Sequence, residues 1–186
     1  MTDGPSPAPL FRQTGERTLY EGHVISLGVG HFEGPGGATF DRDLVHHPGA
    51  VSVVPVVDDH VVLVRQYRAA IDGELLEIPA GKRDVPGEAP ELTAQRELIE
   101  EVGLRAGRLV KLAEFYNSPG FCDEHSYVYL ALDLEPVAAS AQGIEEEHMT
   151  IESVPLDDIV GLIASGALRD AKSIIGLTLA LRHLGR

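Results

Sequence analysis

Apolar and polar residues alternate, or apolar residues form short runs, over most of the chain outside residues 80–104. Patterns of period two and short Val-rich runs are typical of strands. They predict strands at residues 18–32, 39–46, 51–57, 61–65, 109–116, 127–135 and 149–154. Pro55 lies inside one of these runs and cannot donate to a ladder, so we expect a sheet edge or a bulge there.

A helical period replaces this alternation between Pro90 and Gly103. Proline fits the first turn of a helix and glycine fits its end, so these two residues bound the predicted helix. Two more helices are expected near the end of the chain, at residues 156–165 and 171–184. The elements together predict an α/β (α+β) fold with a mixed sheet sandwiched between helices.

The helix after Pro90 carries an unusual concentration of acids. Glu97, Glu100 and Glu101 are spaced so that their side chains meet on one face. The apolar residues point the other way: Leu92, Leu98, Ile99 and Val102. Like charges at this spacing destabilise an isolated helix by about 0.2–0.5 kcal/mol per pair. Clustered carboxylates suit Mg²⁺ or Mn²⁺ rather than Zn²⁺, and the alternative is an ordinary solvated acidic face.

This segment resembles the Nudix box, whose family pattern is G-x5-E-x7-R-E-U-x-E-E-x-G-U, with U a bulky aliphatic residue. The matching residues are Gly81, Glu88, Arg96, Glu97, Leu98, Glu100, Glu101, Gly103 and Leu104. Six residues rather than five separate Gly81 from Glu88, and the extra residue falls in a Pro-Gly turn where insertions cost little. The resemblance implies an internal ion pair between Arg96 and Glu88 that pins the loop to the helix.

The family resemblance also implies a Nudix-type α/β/α sandwich and a metal-dependent reaction at a diphosphate. Glu97 and Glu101 are then expected to be direct metal ligands, with Glu100 a third or water-mediated one. The carbonyl of Ala80 resembles the backbone ligand that precedes the box glycine. The cofactor implied is Mg²⁺, or alternatively Mn²⁺, as two or three ions that bridge carboxylates to phosphate oxygens.

Residues on both sides of the box resemble the ADP-ribose pyrophosphatase branch of the family. Upstream, the string RQYR is followed by EIPAG, and the branch implies that Arg68 contacts the substrate diphosphate while Glu77 lines the same pocket. Downstream, Pro119, Gly120 and Phe121 belong to an SPGF-x-DE run and are expected to bind substrate. Taken alone, an SPG turn is also common in ordinary loops.

A further acidic run consists of Glu145, Glu146 and Glu147, in a predicted loop. The simplest interpretation of a charge run is a solvated loop. The resemblance implies instead that a loop at this distance delivers the general base, with Glu146 nearest the expected position and Glu147 and Glu145 close behind. Together with Glu101, these residues complete the expected catalytic set.

Composition limits the classes of partner. The chain has 186 residues and a formal net charge of −14, so a nucleic-acid backbone or an anionic membrane surface is an unfavourable partner. Metal ions would reconcile this charge with an anionic substrate. The single Cys122 excludes an intrachain disulfide and is typical of a reducing cytoplasm. No apolar stretch approaches the roughly 20 residues of a membrane span, and no signal peptide is recognised.

The chain divides into three predicted segments. Residues 1–17, which contain three prolines, are expected to form a flexible tail. Residues 18–50 form an N-terminal β region that exceeds a minimal catalytic core, and residues 51–186 form the Nudix domain. In the resembling branch, such an N-terminal region pairs with a second subunit and helps to form the adenosine pocket. A homodimer is therefore expected by analogy.

The resemblance as a whole implies hydrolysis of ADP-ribose to AMP and ribose 5-phosphate. Three alternatives remain open. The first is a sister pyrophosphatase for another nucleoside diphosphate derivative, such as a sugar nucleotide or a flavin or nicotinamide dinucleotide. The second is a house-cleaning enzyme for oxidised nucleoside triphosphates, and the third is a non-catalytic ADP-ribose sensor.

Overall fold

The structure is a computed structural model, and it describes residues 10–138 and 148–186. The chain folds into two compact units, each described by itself below. The N-terminal unit takes in the described part of the chain up to Pro48 together with Tyr116–Glu124. The larger unit comprises Gly49–Phe115 and the described part of His125–Arg186. Within the described ranges, no helix is long and apolar enough to cross a membrane.

The N-terminal unit contains a three-stranded antiparallel sheet in the order β1-β2-β3. Its strands are β1 (Arg12–Glu21), β2 (Ser26–Glu33) and β3 (Thr39–His46). The single strand expected at residues 18–32 is wrong, because a turn closed by the hydrogen bond from Gly22 N to Ile25 O (2.8 Å) divides it. β1 begins inside the segment assigned to the tail, because its backbone pairs with β2 although its side chains are exposed.

The larger unit is built on a seven-stranded mixed sheet. Its strands are β4 (Ala50–Val57), β5 (His60–Arg68), β6 (Gly73–Glu77), β7 (Ala80–Lys82), β8 (Leu104–Tyr116), β9 (His125–Pro136) and β10 (Thr150–Pro155). The order is β10-β5-β4-β9-β8, with β6 paired to β5 and β7 paired to β4. β4 and β9 run parallel, whereas β4 is antiparallel to β5 and β7.

Helices cover both faces of this sheet, since alternate strand residues point in opposite directions. The described helices are α1 (Pro90–Val102), α2 (Ile159–Ser165) and α3 (Ala171–His183), and short 3-10 turns occur at Pro35–Gly37, Ala69–Ile71 and Leu156–Asp158. Leu98 of α1 packs in one core cluster with Val53. Leu177 of α3 packs in the other with Val54. The predicted α/β/α sandwich with a mixed sheet is confirmed.

Pro55 does not lie at a sheet edge, so that part of the prediction is wrong. β4 is an inner strand, and Pro55 is paired with Ala131 of β9 in parallel register. On its other side β4 forms two separate ladders, with β7 at Ala50–Ser52 and with β5 at Val56–Val57. The N–H of Val53 points to that side, and alternation places Pro55 N in the interval between the ladders. A missing donor is tolerated there.

Candidate active site

α1 presents its acidic face at the end nearest Gly103, as the spacing predicts. Pro90 occupies the first turn, and Gly103 ends the helix in the left-handed conformation (φ 65°) with its N–H directed at Ile99 O. Glu97 and Glu101 are each only 7% exposed. Two carboxylates so far out of water require strong compensation, because burial of an unpaired charge costs several kcal/mol. The helix is therefore not an ordinary solvated acidic face.

The short strand β7 lies directly against this face. Its Ala80 N–H donates to Glu101 Oε2 at 3.0 Å. Gly81, the next residue, is so close to the Glu97 carboxylate that a Cβ atom at this position would overlap it. Pairing of Gly81 with Val51 of β4 fixes the strand in place. Ala80 and Gly81 thus form a cradle for the two buried carboxylates, the β7 cradle, in which the box glycine clears the space that Glu97 occupies.

Arg96 pairs with three of the acids of the box. Its guanidinium lies 2.8 Å from Glu97 Oε1 and 3.1 Å from Glu100 Oε2 through Nη1, and 3.4 Å from Glu88 Oε2 through Nη2. Thr93 Oγ1 also donates to Glu88 at 2.8 Å. Burial alone would lower the pKa of Arg96, but the neighbouring carboxylates outweigh it and raise the pKa. The guanidinium therefore stays charged and joins the loop that carries Glu88 to the helix.

The chemistry of these groups fits a hard divalent cation. Glu97, Glu100, Glu101 and the Ala80 carbonyl offer oxygen donors only, which is the preference of Mg²⁺ and Mn²⁺. The clearance at Gly81 gives the Glu97 carboxylate room beside β7. Within residues 10–138 and 148–186, no three acidic, His or Cys side chains are already arranged around a common metal position. Arg96 and the Ala80 N–H hold the carboxylates instead.

A second charged cluster lies in the same unit and surrounds the fully buried Glu77. Arg68 donates to it through Nε (2.7 Å) and Nη2 (2.6 Å), and Lys172 of α3 forms a second ion pair with it. Lys172 also lies 3.0 Å from Asp170. Burial would raise the pKa of Glu77, but Arg68 and Lys172 outweigh it and leave that pKa below its usual value. Glu77 is thus an internal anion with two cationic partners.

Sequence reasoning found Arg68 and Glu77 but missed Lys172. Glu77 and Lys172 are 95 residues apart, and nothing local to the lysine marks the pairing. The only sequence signal near it is Asp170, an ordinary N-cap residue that accepts from Ser173 N at 2.9 Å.

The predicted substrate residues Pro119, Gly120 and Phe121 belong to the N-terminal unit. All three line a cavity of about 360 Å³ in that unit. Val45 of β3 holds the loop by donating from its N to Phe121 O (2.7 Å) and by accepting from Asp123 N (3.1 Å). These hydrogen bonds tie the loop to β3, although Pro119, Gly120 and Phe121 are themselves exposed and form a turn.

His46 joins three segments of the N-terminal unit. Its Nδ1 lies 2.6 Å from Asp123 Oδ2, and its Nε2 lies 2.7 Å from Glu16 Oε1. Both ring nitrogens can donate at once only in the imidazolium form. The hydrogen bonds to Asp123 and then Glu16 raise the pKa of His46. The hydrogen bond from His46 lowers the pKa of Glu16. Burial would raise the pKa of Asp123, but hydrogen bonds from the His46 ring and the His47 backbone outweigh it and lower that pKa.

The stability supplied by this cluster is expected to depend on pH. Because the folded pKa of His46 is raised, its contribution is complete below the ordinary value of 6.5 and is lost as pH rises through the folded pKa. The lowered pKa values of Glu16 and Asp123 make their contributions complete above 4.5 and 3.8, and lost as pH falls through the folded values. His46→Gln should therefore lower Tm most between pH 4.5 and pH 6.5, where all three groups contribute fully, and should lower it little at alkaline pH. Thermal unfolding across pH checks this, with the exposed His23→Gln as control; a deficit independent of pH would contradict it.

The acidic run Glu145, Glu146 and Glu147 lies outside the described residues. Its assignment as the source of the general base remains a prediction.

Known proteins match this chain over most of its length. The family model of the NUDIX domain matches residues 46–176. The chain is 41% identical to the ADP-ribose pyrophosphatase of Bacillus subtilis (strain 168) over 156 residues, 83% of this chain and 84% of the relative. It is 37% identical to the ADP-ribose pyrophosphatase of Mycobacterium tuberculosis over 168 residues, 90% of this chain and 81% of the relative. It is also 36% identical to the methanol dehydrogenase activator of Bacillus methanolicus over 182 residues, 94% and 98% of the two chains.

The fold has a close counterpart among solved structures. The crystal structure of an ADP compounds hydrolase superposes with a TM-score of 0.83 and covers 97% of this chain and 99% of that chain at 24% identity. That likeness concerns the fold alone. The family match extends over most of the chain and includes the acidic helix, the β7 cradle and the Arg96 cluster. The chain therefore belongs to the Nudix hydrolase family.

Proposed function

We propose that this chain hydrolyses the diphosphate bond of ADP-ribose to give AMP and ribose 5-phosphate. The observation that carries the proposal is the pair of buried carboxylates, Glu97 and Glu101, held against Ala80 and Gly81. Such a site suits metal-assisted cleavage of a diphosphate. The substrate is supported by the two relatives that are named ADP-ribose pyrophosphatases.

Nudix hydrolases generally need a divalent metal ion such as Mg²⁺. The proposed ligands are the carboxylates of Glu97, Glu100 and Glu101 and the carbonyl of Ala80. Two or three Mg²⁺ ions, or alternatively Mn²⁺, would supply positive charge to the phosphate oxygens and acidify a water molecule. Arg68, with its guanidinium oriented by Glu77, would bind the diphosphate. Pro119, Gly120 and Phe121 of the N-terminal unit are also proposed to bind substrate.

The proposed general base is Glu146, which would accept the proton of the attacking water. Glu146→Gln is expected to lower kcat by about 10²-fold with little change in KM, because a base acts in the transition state and not in substrate binding. Steady-state kinetics of this variant beside Glu145→Gln and Glu147→Gln make the check. If Glu147→Gln is the slowest of the three, the base is displaced by one residue.

The test of the function is product release from a panel of ADP-ribose, GDP-mannose, NADH and a purine nucleoside triphosphate, with Mg²⁺ and then Mn²⁺. AMP should appear fastest from ADP-ribose. Faster cleavage of another compound would retain the metal chemistry and discard the substrate assignment. If no compound is cleaved with either metal, calorimetric binding of ADP-ribose without turnover would identify a sensor instead.

A homodimer formed through the N-terminal β region is also part of the proposal. All of β1 is exposed, and so are several large apolar residues in and beside it: Leu10, Phe11, Leu19, Tyr20, Val24 and Ile25. Large exposed apolar residues grouped in one region of the surface are typical of a protein interface. Light scattering coupled to gel filtration should give twice the 20.0 kDa chain mass, and a monomer would contradict the proposal.

A further inference from the structure

Within the described part of the larger unit, Glu77 is the most deeply buried carboxylate, and its environment is unusual. Its side chain is only 1% exposed, yet Arg68 at the end of β5 and Lys172 in the first turn of α3 both pair with it. Arg68 alone would suffice to neutralise this carboxylate. Lys172, which also pairs with Asp170 at 3.0 Å, adds a second cation with its own desolvation cost.

Arg68 uses only one edge of its guanidinium for Glu77. The Nε and Nη2 atoms bond the two carboxylate oxygens side by side, at 2.7 and 2.6 Å. In this planar fork, the Nη1 edge points away from the carboxylate. The Arg68 side chain is 40% exposed, and the Nη1 edge is the part of the guanidinium that the bonds to Glu77 leave available to a ligand. The geometry orients the arginine without using all of its donors.

Lys172 supplies the charge that this arrangement otherwise lacks. It is paired with the Glu77 oxygen that also accepts from Arg68 Nη2, and its side chain is only 16% exposed. Its other partner, Asp170, already accepts from Ser173 N and Oγ at the N-terminus of α3. The helix dipole stabilises that carboxylate independently. The Lys172 charge therefore offsets that of Glu77 and leaves the Nη1 edge of Arg68 cationic.

The cluster adjoins the acidic helix through the chain that follows Glu77. Ile78 N donates to the buried Ser173 Oγ at 2.9 Å, and two residues later Ala80 N donates to Glu101. The hydrogen bond to Glu77 is the largest cause that raises the pKa of Arg68, and the charges of Asp170 and Glu101 raise it further. α3 thus fixes the backbone between the arginine and the proposed metal ligands.

We propose that Lys172 is a positioning residue for substrate binding, which acts through Glu77 to keep the guanidinium of Arg68 oriented and cationic for an anionic diphosphate. This inference rests on the proposed function and adds to it a residue of the C-terminal helix. Lys172 touches no substrate in this role. Without it, Glu77 would cancel the Arg68 charge locally, and the Nη1 edge would attract a diphosphate less strongly.

The test compares Lys172→Met, Lys172→Arg and Lys111→Met with the wild-type enzyme. Lys111 is the matched control, since it is half-exposed on β8 and pairs with Glu114. With Mg²⁺ and ADP-ribose, Lys172→Met should raise KM about tenfold and change kcat less than about threefold. Lys172→Arg should restore KM to within about twofold of wild type, because an arginine keeps the charge. Lys111→Met should behave as wild type.

Two outcomes would overturn the inference. One is an unchanged KM in Lys172→Met, and a lower Tm and kcat beside it would show a merely structural role. The other is a raised KM that Lys172→Arg does not restore. Failure of the proposed function is recognised separately, because wild type would then not cleave ADP-ribose. In that case calorimetric titration with inorganic pyrophosphate and Mg²⁺ replaces kinetics. Lys172→Met should bind it about tenfold more weakly than wild type and Lys111→Met equally well, and equal binding by both would overturn the inference.

Discussion

Replacement of Glu97 or Glu101 by glutamine is expected to lower kcat at least about 10²-fold while the protein remains folded. Glutamine keeps the shape of the side chain but removes the charge that the proposed metal ligand requires. Both positions are buried beside β7, so the loss cannot be replaced by water without rearrangement. Stability should change little, because the like-charge repulsion that disappears from α1 is balanced at Glu97 by the loss of its ion pair with Arg96. Steady-state kinetics with saturating Mg²⁺ and thermal unfolding measure the two effects.

Glu91 provides the matched control for these variants. It lies in the first turn of the same helix and is exposed. Glu91→Gln removes an identical charge and should leave kcat within about twofold of wild type, since the carboxylate is far along the helix from the β7 cradle. Near-normal activity of both Glu97→Gln and Glu101→Gln would contradict the assignment of these residues as metal ligands. Loss of activity in Glu91→Gln would indicate a general effect of helix charge instead.

The part of the fold that sequence predicts best is the part governed by local rules. Pro90 and Gly103 bound α1 as expected, because a fixed φ suits the first turn and a left-handed residue suits the end. The acidic and apolar faces of this helix follow from its period alone. Alternation along β4 likewise separates the two core clusters on either side of the sheet. These features need no knowledge of distant partners.

The features that were missed depend on pairing between distant segments. β7 is three residues long, and only its ladder with β4 makes it a strand. β1 extends back to Arg12 because β2 offers a partner, although no burial pattern marks it. Pro55 is tolerated in an inner strand because two other ladders leave an interval beside it. Single-sequence patterns contain no such information about register.

The candidate site shows the same division. The box spacing identifies Glu97, Glu100 and Glu101, and the structure adds why the cluster is tolerated before any metal binds. Arg96 faces two of these glutamates and also Glu88, so its positive charge offsets repulsion that would otherwise destabilise the helix. The Lys172 contact with Glu77, by contrast, joins segments 95 residues apart and could come only from the fold.

The clearance at Gly81 leads to the second large effect. Gly81 has no left-handed backbone angle, so alanine would meet no backbone strain there. Its Cβ would instead overlap the Glu97 carboxylate, and the ladder between Gly81 and Val51 prevents β7 from moving away. The carboxylate must therefore rotate out of the cradle. Since displacement of about 1 Å at a catalytic group can cost 10²-fold in rate, we expect Gly81→Ala to lower kcat by about 10- to 10²-fold.

The decisive comparison for Gly81→Ala is Gly161→Ala in α2. No atom lies within 4 Å of a Cβ at Gly161, and its backbone is helical, so this alanine should raise the free energy of unfolding by about 0.5–1 kcal/mol and leave kcat unchanged. Kinetics and denaturant unfolding of both variants separate the two consequences of an added methyl group. Wild-type activity in Gly81→Ala would show that the Glu97 carboxylate is not held where catalysis needs it. A fall in kcat for Gly81→Ala alone would tie the rate to the position of this carboxylate, because both variants add the same atom and only one of them meets a proposed metal ligand.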